Sequence, residues 1–264
     1  MVLNRFVLHV IPGYITNIFL AEYEHGLLLL DCGAASDVQR IEDYCLQNLK
    51  RSPQDIKLAV VTHIHPDHSG GAANLRNRFG TLIASQNELD RWYAGPGGFI
   101  QHKLDRFMMQ GVARRMQRSL EKTFFPRRIN ADFLLSDGDS LPIFQDWQAI
   151  HVPGHTSHDL VLYNQAESLL YVSDCVLEVK GKYQNPLPIM FPEQMLSSYT
   201  KLSTLDAATI LLAHGEAIKT EDPRRVFTLA RELLKSPPNK MTHRVQCMSV
   251  FSPEGWQQRN KQGC

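Results

Sequence analysis

No charge of either sign dominates this sequence. Its 28 Lys and Arg against 27 Asp and Glu leave a formal charge of +1 over 264 residues. No overall field therefore favours a nucleic-acid or membrane partner. Long apolar runs are also missing. Pro12, Gly13 and Glu22 interrupt the early apolar stretch, and no segment approaches a membrane span. The N-terminus lacks the charged-then-apolar pattern of an export signal, which points to a cytoplasmic protein. Cysteine is scarce: Cys32, Cys45, Cys175, Cys247 and Cys264 are scattered and odd in number. They read as reduced thiols rather than as a disulfide framework. Internal repeats, heptad arrays and long low-complexity segments are absent. The length suffices for one large domain or two small ones.

What is present is concentrated in one stretch, Leu58 to Gly71, LAVVTHIHPDHSGG. The apolar run Leu58 to Val61 predicts a buried strand, central in its sheet. The strand delivers His63, His65, Asp67 and His68 into a turn containing Pro66. Ser69, Gly70 and Gly71 lead into a helix from about Ala72 to Phe79. Three imidazoles and a carboxylate within six positions are costly to bury without partners. A divalent transition ion removes that cost. His63 and His65 are two apart and point the same way in extended chain, whereas Asp67 and His68 follow the turn. The four residues suit two metals better than one.

The pattern His63-x-His65-x-Asp67-His68 at a strand end resembles the mark of the metallo-β-lactamase superfamily. The resemblance covers most of the chain. It implies three further ligands, each just past an apolar run: His155 after Trp147 to Val152, Asp174 after Ser168 to Ser173, and His214 after Thr209 to Ala213. It also implies that Asp31, in Asp31-Cys32-Gly33, supports the metal-binding loop. Tyr14, in the Pro12-Gly13-Tyr14 turn, is a candidate substrate contact, because that hairpin lies near the metal mouth in the family.

The rest of the chain is consistent with an α/β protein, a four-layer α/β/β/α sandwich with a helical insertion. One domain is expected over 1–264, with the insertion at about 86–132 and a C-terminal tail at about 236–264. Phe6 to Ile11, Ile15 to Tyr23 and Leu27 to Leu30 read as strands. Ser36 to Lys50 has helical spacing. A short strand is expected at Thr81 to Ala84. Gly95, Pro96, Gly97 and Gly98 read as a break before a helix from Phe99 to Thr123. Leu104, Phe107, Met108, Val112 and Met116 would form its apolar stripe. As a packed helix it would bury that stripe. As a lid over the metals it would place Phe107 or Met108 in the pocket. Ala131 to Ala149 reads as a hairpin around Asp137-Gly138-Asp139. Val176 to Pro192 reads as a loop, with Lys182 and Tyr183 as candidate substrate contacts. Pro192 to Leu205 and Asp222 to Lys235 read as helices.

The implied ligand set is that of a hydrolase. His63, His65 and His155 would make a tetrahedral site with one position open. Asp67, His68 and His214 would make a second, with Asp174 bridging. A hydroxide shared by two cations is formed near neutrality, and Asp67 can accept a hydrogen bond from that nucleophile and later pass a proton. The expectation is a dinuclear hydrolase of a small carboxylic ester, thioester or lactone. Zinc is the first choice of metal, with iron or manganese as alternatives. A homodimer is left open. Competing readings are a mononuclear iron persulfide dioxygenase, a phosphodiesterase and a non-catalytic ligand-binding protein. Within the resemblance, Asp174 disfavours antibiotic hydrolysis, because the secreted enzymes lack it. Leu177 stands where lactonases place a tyrosine. Lys182 and Tyr183 are similar to a pair in glyoxalase II enzymes, at a different spacing. His65 stands where flavodiiron proteins carry glutamate.

Overall fold

The computed structural model describes residues 1–236, 240–259, 261 and 263. Six strands form the first sheet in sequence order: β1 (Val7–Pro12), β2 (Asn17–Tyr23), β3 (Gly26–Leu29), β4 (Ile56–Val61), β5 (Leu82–Gln86) and β6 (Phe133–Leu135). The first three make an antiparallel meander, and β3 to β6 run parallel. Parallel neighbours need long crossovers. Here these carry α1 (Asp37–Tyr44), then α2 (Pro66–Ser69) and α3 (Ala72–Phe79), then α4 (Gly95–Arg115).

The second sheet contains β7 (Gln148–His151), β8 (Leu160–Asn164) and β9 (Leu169–Tyr171). Between β9 and its parallel neighbour, β10 (Leu177–Val179) and β11 (Lys182–Gln184) pair only with each other, and α5 (Pro192–Leu202) follows. The sheet is completed by β12 (Thr209–Leu211) and β13 (Ile218–Lys219), in the order β13-β12-β9-β8-β7. The chain continues through α6 (Pro223–Lys235), α7 (Lys240–Cys247) and α8 (Pro253–Gln258).

Period-two alternation in the buried strands creates the layers. Leu28, Leu30, Leu58 and Val60 face the second sheet, meeting Leu160, Leu162, Tyr171 and Leu211. Their neighbours Leu27, Leu29, Ala59 and Val61 face the other way, onto Val38, Ile41, Ala72 and Leu75 of α1 and α3. On the far side, Ile150, Val161, Leu170 and Ile210 pack on Met195, Tyr199, Val226 and Phe227 of α5 and α6. Apolar side chains on both faces are why these strands read as continuous runs. The result is the expected four-layer α/β/β/α sandwich. Among the described residues, no helix is long and apolar enough to cross a membrane.

Five local expectations are corrected. The segment 131–149 does not pair β6 with β7: β6 belongs to the first sheet and β7 to the second, and it is the connecting residues 138–141 that pair antiparallel with 147–149. The turn signal there passes the chain between sheets. Val176 to Pro192 is not all loop, because Lys180 and Gly181, at φ 55° and 74°, make a turn between β10 and β11. Positive φ at both central residues matches the twist of a two-residue hairpin. The helix from Ser36 stays α-helical only to Tyr44 and is π-wound over Cys45–Leu49. Cys32, Cys45 and Cys175 are free and buried, but Cys247 is disulfide-bonded, unlike a reduced thiol.

The fifth correction concerns the insertion. Its glycines are not a break but the first turn of α4, which ends at Arg115 rather than Thr123. A Cβ on Gly97 would lie 2.2 Å from the Phe251 carbonyl, and one on Gly98 2.2 Å from the Tyr93 backbone. Close approach, not hinge motion, explains these residues. The buried face is Gly98, Gln101, His102, Asp105, Met109 and Ala113. Phe107, Val112 and Met116 of the expected stripe are exposed instead. The polar members of the buried face have partners: Gln101 Nε2 donates to Asp105 Oδ1, and His102 Nε2 donates to the Phe125 carbonyl. Outside, Lys103 lies over the Phe99 ring and Arg106 over Phe124, so cations cover part of the exposed aromatic surface.

The expected tail contains α7 and α8. Pro237 and Pro238, used in that expectation, lie outside the described residues.

Candidate metal centre

β4 ends at Val61, the chain bends over residues 62–65, and His65 precedes α2 with Pro66 as its first residue. The short helix turns Asp67 and His68 toward the strand end. Gly70 and Gly71 make this possible by close approach: a Cβ on either would lie 2.2 Å from a carbonyl oxygen, that of Pro66 or of Cys32. The loop after β3 is thereby stitched to the ligand loop, Cys32 N donating to the His68 carbonyl and Gly71 N to that of Gly33. Asp174 follows Ser173, which sits at φ 49°. A non-glycine residue there stores strain of order 1–3 kcal/mol, a cost tolerated where it aims a side chain. His155 follows the Pro153-Gly154 turn after β7. His214 follows β12, where Asn17 N donates to the Ala213 carbonyl and Asn17 Nδ2 to that of Gly215.

Seven donor side chains converge at this end of the sandwich. Three groups have ligand atoms within 4.8 Å of one another: His63, His65 and His155; His63, His68 and Asp174; and Asp67, His68 and His214. His155 Nε2 is 2.8 Å from His65 Nδ1. Asp174 lies among all of them, with Oδ2 3.6 Å from His155 Nε2 and 3.9 Å from His63 Nε2. Its Oδ1 is 3.1 Å from His68 Nε2 and 3.5 Å from His214 Nε2. Asp67 Oδ2 faces His214 Nε2 at 3.3 Å.

The outward nitrogens are occupied, which fixes which nitrogen faces inward. His68 Nδ1 donates to Asp31 Oδ2 (2.9 Å), His155 Nδ1 to the Pro188 carbonyl (2.6 Å) and His214 Nδ1 to the Ile15 carbonyl (3.1 Å). Their Nε2 atoms are left facing the centre. Asp31 is itself held by Thr62 N and Oγ1 and by the Tyr171 hydroxyl. The inward atoms His63 Nε2, His68 Nε2 and Asp174 Oδ1 are buried with no hydrogen-bond partner among the described residues. Buried polar atoms are rarely left so. The donor set fits divalent metal ions, which accept from imidazole nitrogen and carboxylate oxygen.

The electrostatics are divided. Burial and the neighbouring His68 hold the His63 pKa well below the usual range, and burial beside His155 lowers that of His65 to about 3. For His68, burial opposes the charge, but Asp174, Asp67 and Asp31 outweigh it and raise the pKa well above the ordinary value. For Asp174, burial pushes upward, but His68 and His214 outweigh it and hold the pKa far down.

The candidate substrate contacts are placed differently. Tyr14 is fully buried, its hydroxyl donating to the Ser119 carbonyl, and packs with Ile15, Ala34, Met109 and Ala113. Phe107 is 60 % exposed and Met108 half-buried, and neither packs in the buried face of α4. Tyr183 lines a cavity of about 330 Å³ with Glu178, Glu216 and Lys219, beside the His214 backbone that Glu178 N binds. Lys182 is exposed next to it. His151 and His158 point away from ligand duty: His151 Nε2 meets the Ser157 carbonyl, and His158 Nε2 accepts from Ile64 N. Sequence reasoning passed over Thr62, Tyr171, Ser173 and Asp105. Only Thr62 and Ser173, each beside a nominated ligand, carried any signal.

The profile of the metallo-beta-lactamase superfamily matches residues 11–214. A hydroxyacylglutathione hydrolase (GloC) of Haemophilus influenzae is 26 % identical over 197 residues, 73 % of this chain and 81 % of that protein. An N-acyl homoserine lactonase (AttM) of Azorhizobium caulinodans is 27 % identical over 193 residues, 67 % of this chain and 65 % of that one. Among solved structures, the metallo-beta-lactamase family protein TTHA1429 of Thermus thermophilus superposes with a TM-score of 0.68 at 19 % identity. That superposition covers 97 % of this chain and 94 % of the other, and it bears on fold alone.

Proposed function

The chain belongs to the metallo-beta-lactamase superfamily, and we propose that it is a dinuclear metal-dependent hydrolase of a small carboxylic ester, thioester or lactone. The observation that carries this reading is the convergence of seven donors with three buried inward atoms lacking partners. His63, His65 and His155 would hold one divalent ion, and Asp67, His68 and His214 a second, with Asp174 shared. Zinc suits such nitrogen and oxygen donors. Bound there, the ions supply Lewis acidity and make water acidic enough to ionise near neutral pH.

The chain's own groups do the rest. Asp67 directs Oδ2 at His68 and His214, so we assign Oδ1 the proton of the attacking water and its return to the leaving group. Asp31 holds His68, and the Pro188 carbonyl holds His155, so neither imidazole turns as charge develops. Tyr14, Ile15, Met109 and Ala113 form a buried apolar cluster, and the Ile15 carbonyl in it holds His214. The least covered ligands are His214 and Asp174, with side chains 18 % and 12 % exposed. Substrate therefore enters on the side of β10, β11 and β13, where Tyr183 and Lys182 stand. A hydroxyacylglutathione hydrolase and an N-acyl homoserine lactonase among the relatives support an acyl substrate.

The test is turnover by the zinc-loaded protein on a panel of acyl esters, thioesters and lactones, with a chromogenic phosphodiester and oxygen uptake on persulfide alongside. Hydrolysis of an acyl substrate that chelation abolishes is the expected result. Activity confined to the phosphodiester, or oxygen consumption with one iron per chain, would replace the reading.

A further inference from the structure

Asp105 is a carboxylate buried in the middle of α4, 3 % exposed. Tyr93 Oη donates to its Oδ2 at 2.8 Å, and Gln101 Nε2 donates to its Oδ1 at 2.6 Å. Its Oδ2 also faces His65 Nε2 at 3.8 Å. No lysine or arginine forms an ion pair with it among the described residues, and the His65 imidazole is a further N–H group within reach. Gln101 in turn accepts from Phe251 N, and Gly98 packs directly on Tyr93. The carboxylate is thus fixed from both ends of its network.

His65 differs from the other histidines of the centre. His68, His155 and His214 turn Nδ1 outward, whereas His65 turns Nδ1 inward, 2.8 Å from His155 Nε2. Used as a ligand atom, Nδ1 carries no proton, and the ring proton must sit on Nε2. That atom looks at Asp105. We propose that Asp105 is a positioning residue for His65: its Oδ2 accepts a hydrogen bond from Nε2–H, which keeps its proton, when the three-histidine site is filled. The inference rests on the metal reading above. It gives the inserted helix a part in the centre through its buried polar face. A carboxylate behind an imidazole ligand fixes ring orientation and raises ligand basicity, and its loss costs about 10–100-fold in metal affinity.

The experiment is titration of metal-free protein with Co²⁺, followed by absorption, for the parent and for Asp105→Asn, which keeps the side-chain volume. The expected result is a loss of about 10–100-fold at the three-histidine site, with a shifted ligand-field band there and the other site changed by less than about threefold. Equal weakening of both sites, or no change at either, would overturn the proposal. A parent that binds no Co²⁺ would instead refute the metal reading itself. Should Asp105→Asn fail to fold, nitrogen-15 correlation spectra of the zinc-loaded parent decide. A proton on His65 Nε2, shifted downfield and slow to exchange, supports Asp105 as its acceptor. A proton on Nδ1, or one in rapid exchange with water, overturns it.

Discussion

His68 and Asp31 are joined by a hydrogen bond of 2.9 Å between Nδ1 and Oδ2, although they lie 37 positions apart. The same oxygen accepts from the Tyr171 hydroxyl of the other sheet, and Thr62 N donates to Oδ1. Asp31 thus ties the ends of β3, β4 and β9 to one ligand. Replacing it by Ala should weaken the metal held by His68 about 10–100-fold while leaving the fold intact. Metal affinity by chelator competition checks this. Unchanged affinity would reduce Asp31 to a strand-end residue.

Asp174 lies within 4 Å of four imidazoles, those of His63, His68, His155 and His214. Asp174→Ala should remove the shared carboxylate, weaken at least one metal and abolish most hydrolysis, with the circular dichroism spectrum unchanged. Parent-like turnover and metal content would take Asp174 out of the centre.

Proton linkage gives a sign as well as a size. His68 and His214 have pKa values above the ordinary 6.5 in the metal-free centre, because nearby carboxylates outweigh burial. Both therefore hold their protons to higher pH than a free imidazole does, and a metal must expel those protons. Metal binding should release about one to two protons per chain, and affinity should fall as pH falls. Calorimetry in buffers of different ionisation enthalpy measures the release. A binding enthalpy independent of buffer would contradict it.

The sequence disclosed the sandwich because its buried strands are bounded apolar runs, and each nominated ligand follows one. It did not disclose which face of α4 is buried. Pattern reading places apolar residues inside, and here Gln101, His102 and Asp105 go inside because each finds a partner. Phe107 and Phe124 stay outside. Nor does a turn signature say whether the next strand rejoins the same sheet, which is why β6 and β7 were misjoined. The Asp105 to His65 contact was hidden for a further reason: 40 residues separate the two, and nothing local marks the pair.

That reversal of α4 can be measured. Met109, 4 % exposed and packed with Tyr14, should lose about 2–3 kcal/mol of stability on replacement by Ala. Phe107, 60 % exposed, should change by less than about 0.5 kcal/mol. Denaturant unfolding of the two variants checks the contrast. A larger loss for Phe107→Ala would restore the apolar stripe as the packed face.

The most direct test of the whole account is metal content. Protein loaded with zinc and stringently desalted should carry two ions per chain by elemental analysis, because seven donors exceed the needs of one tetrahedral ion. A reproducible value of one ion per chain, unchanged when more metal is supplied, would contradict the dinuclear centre.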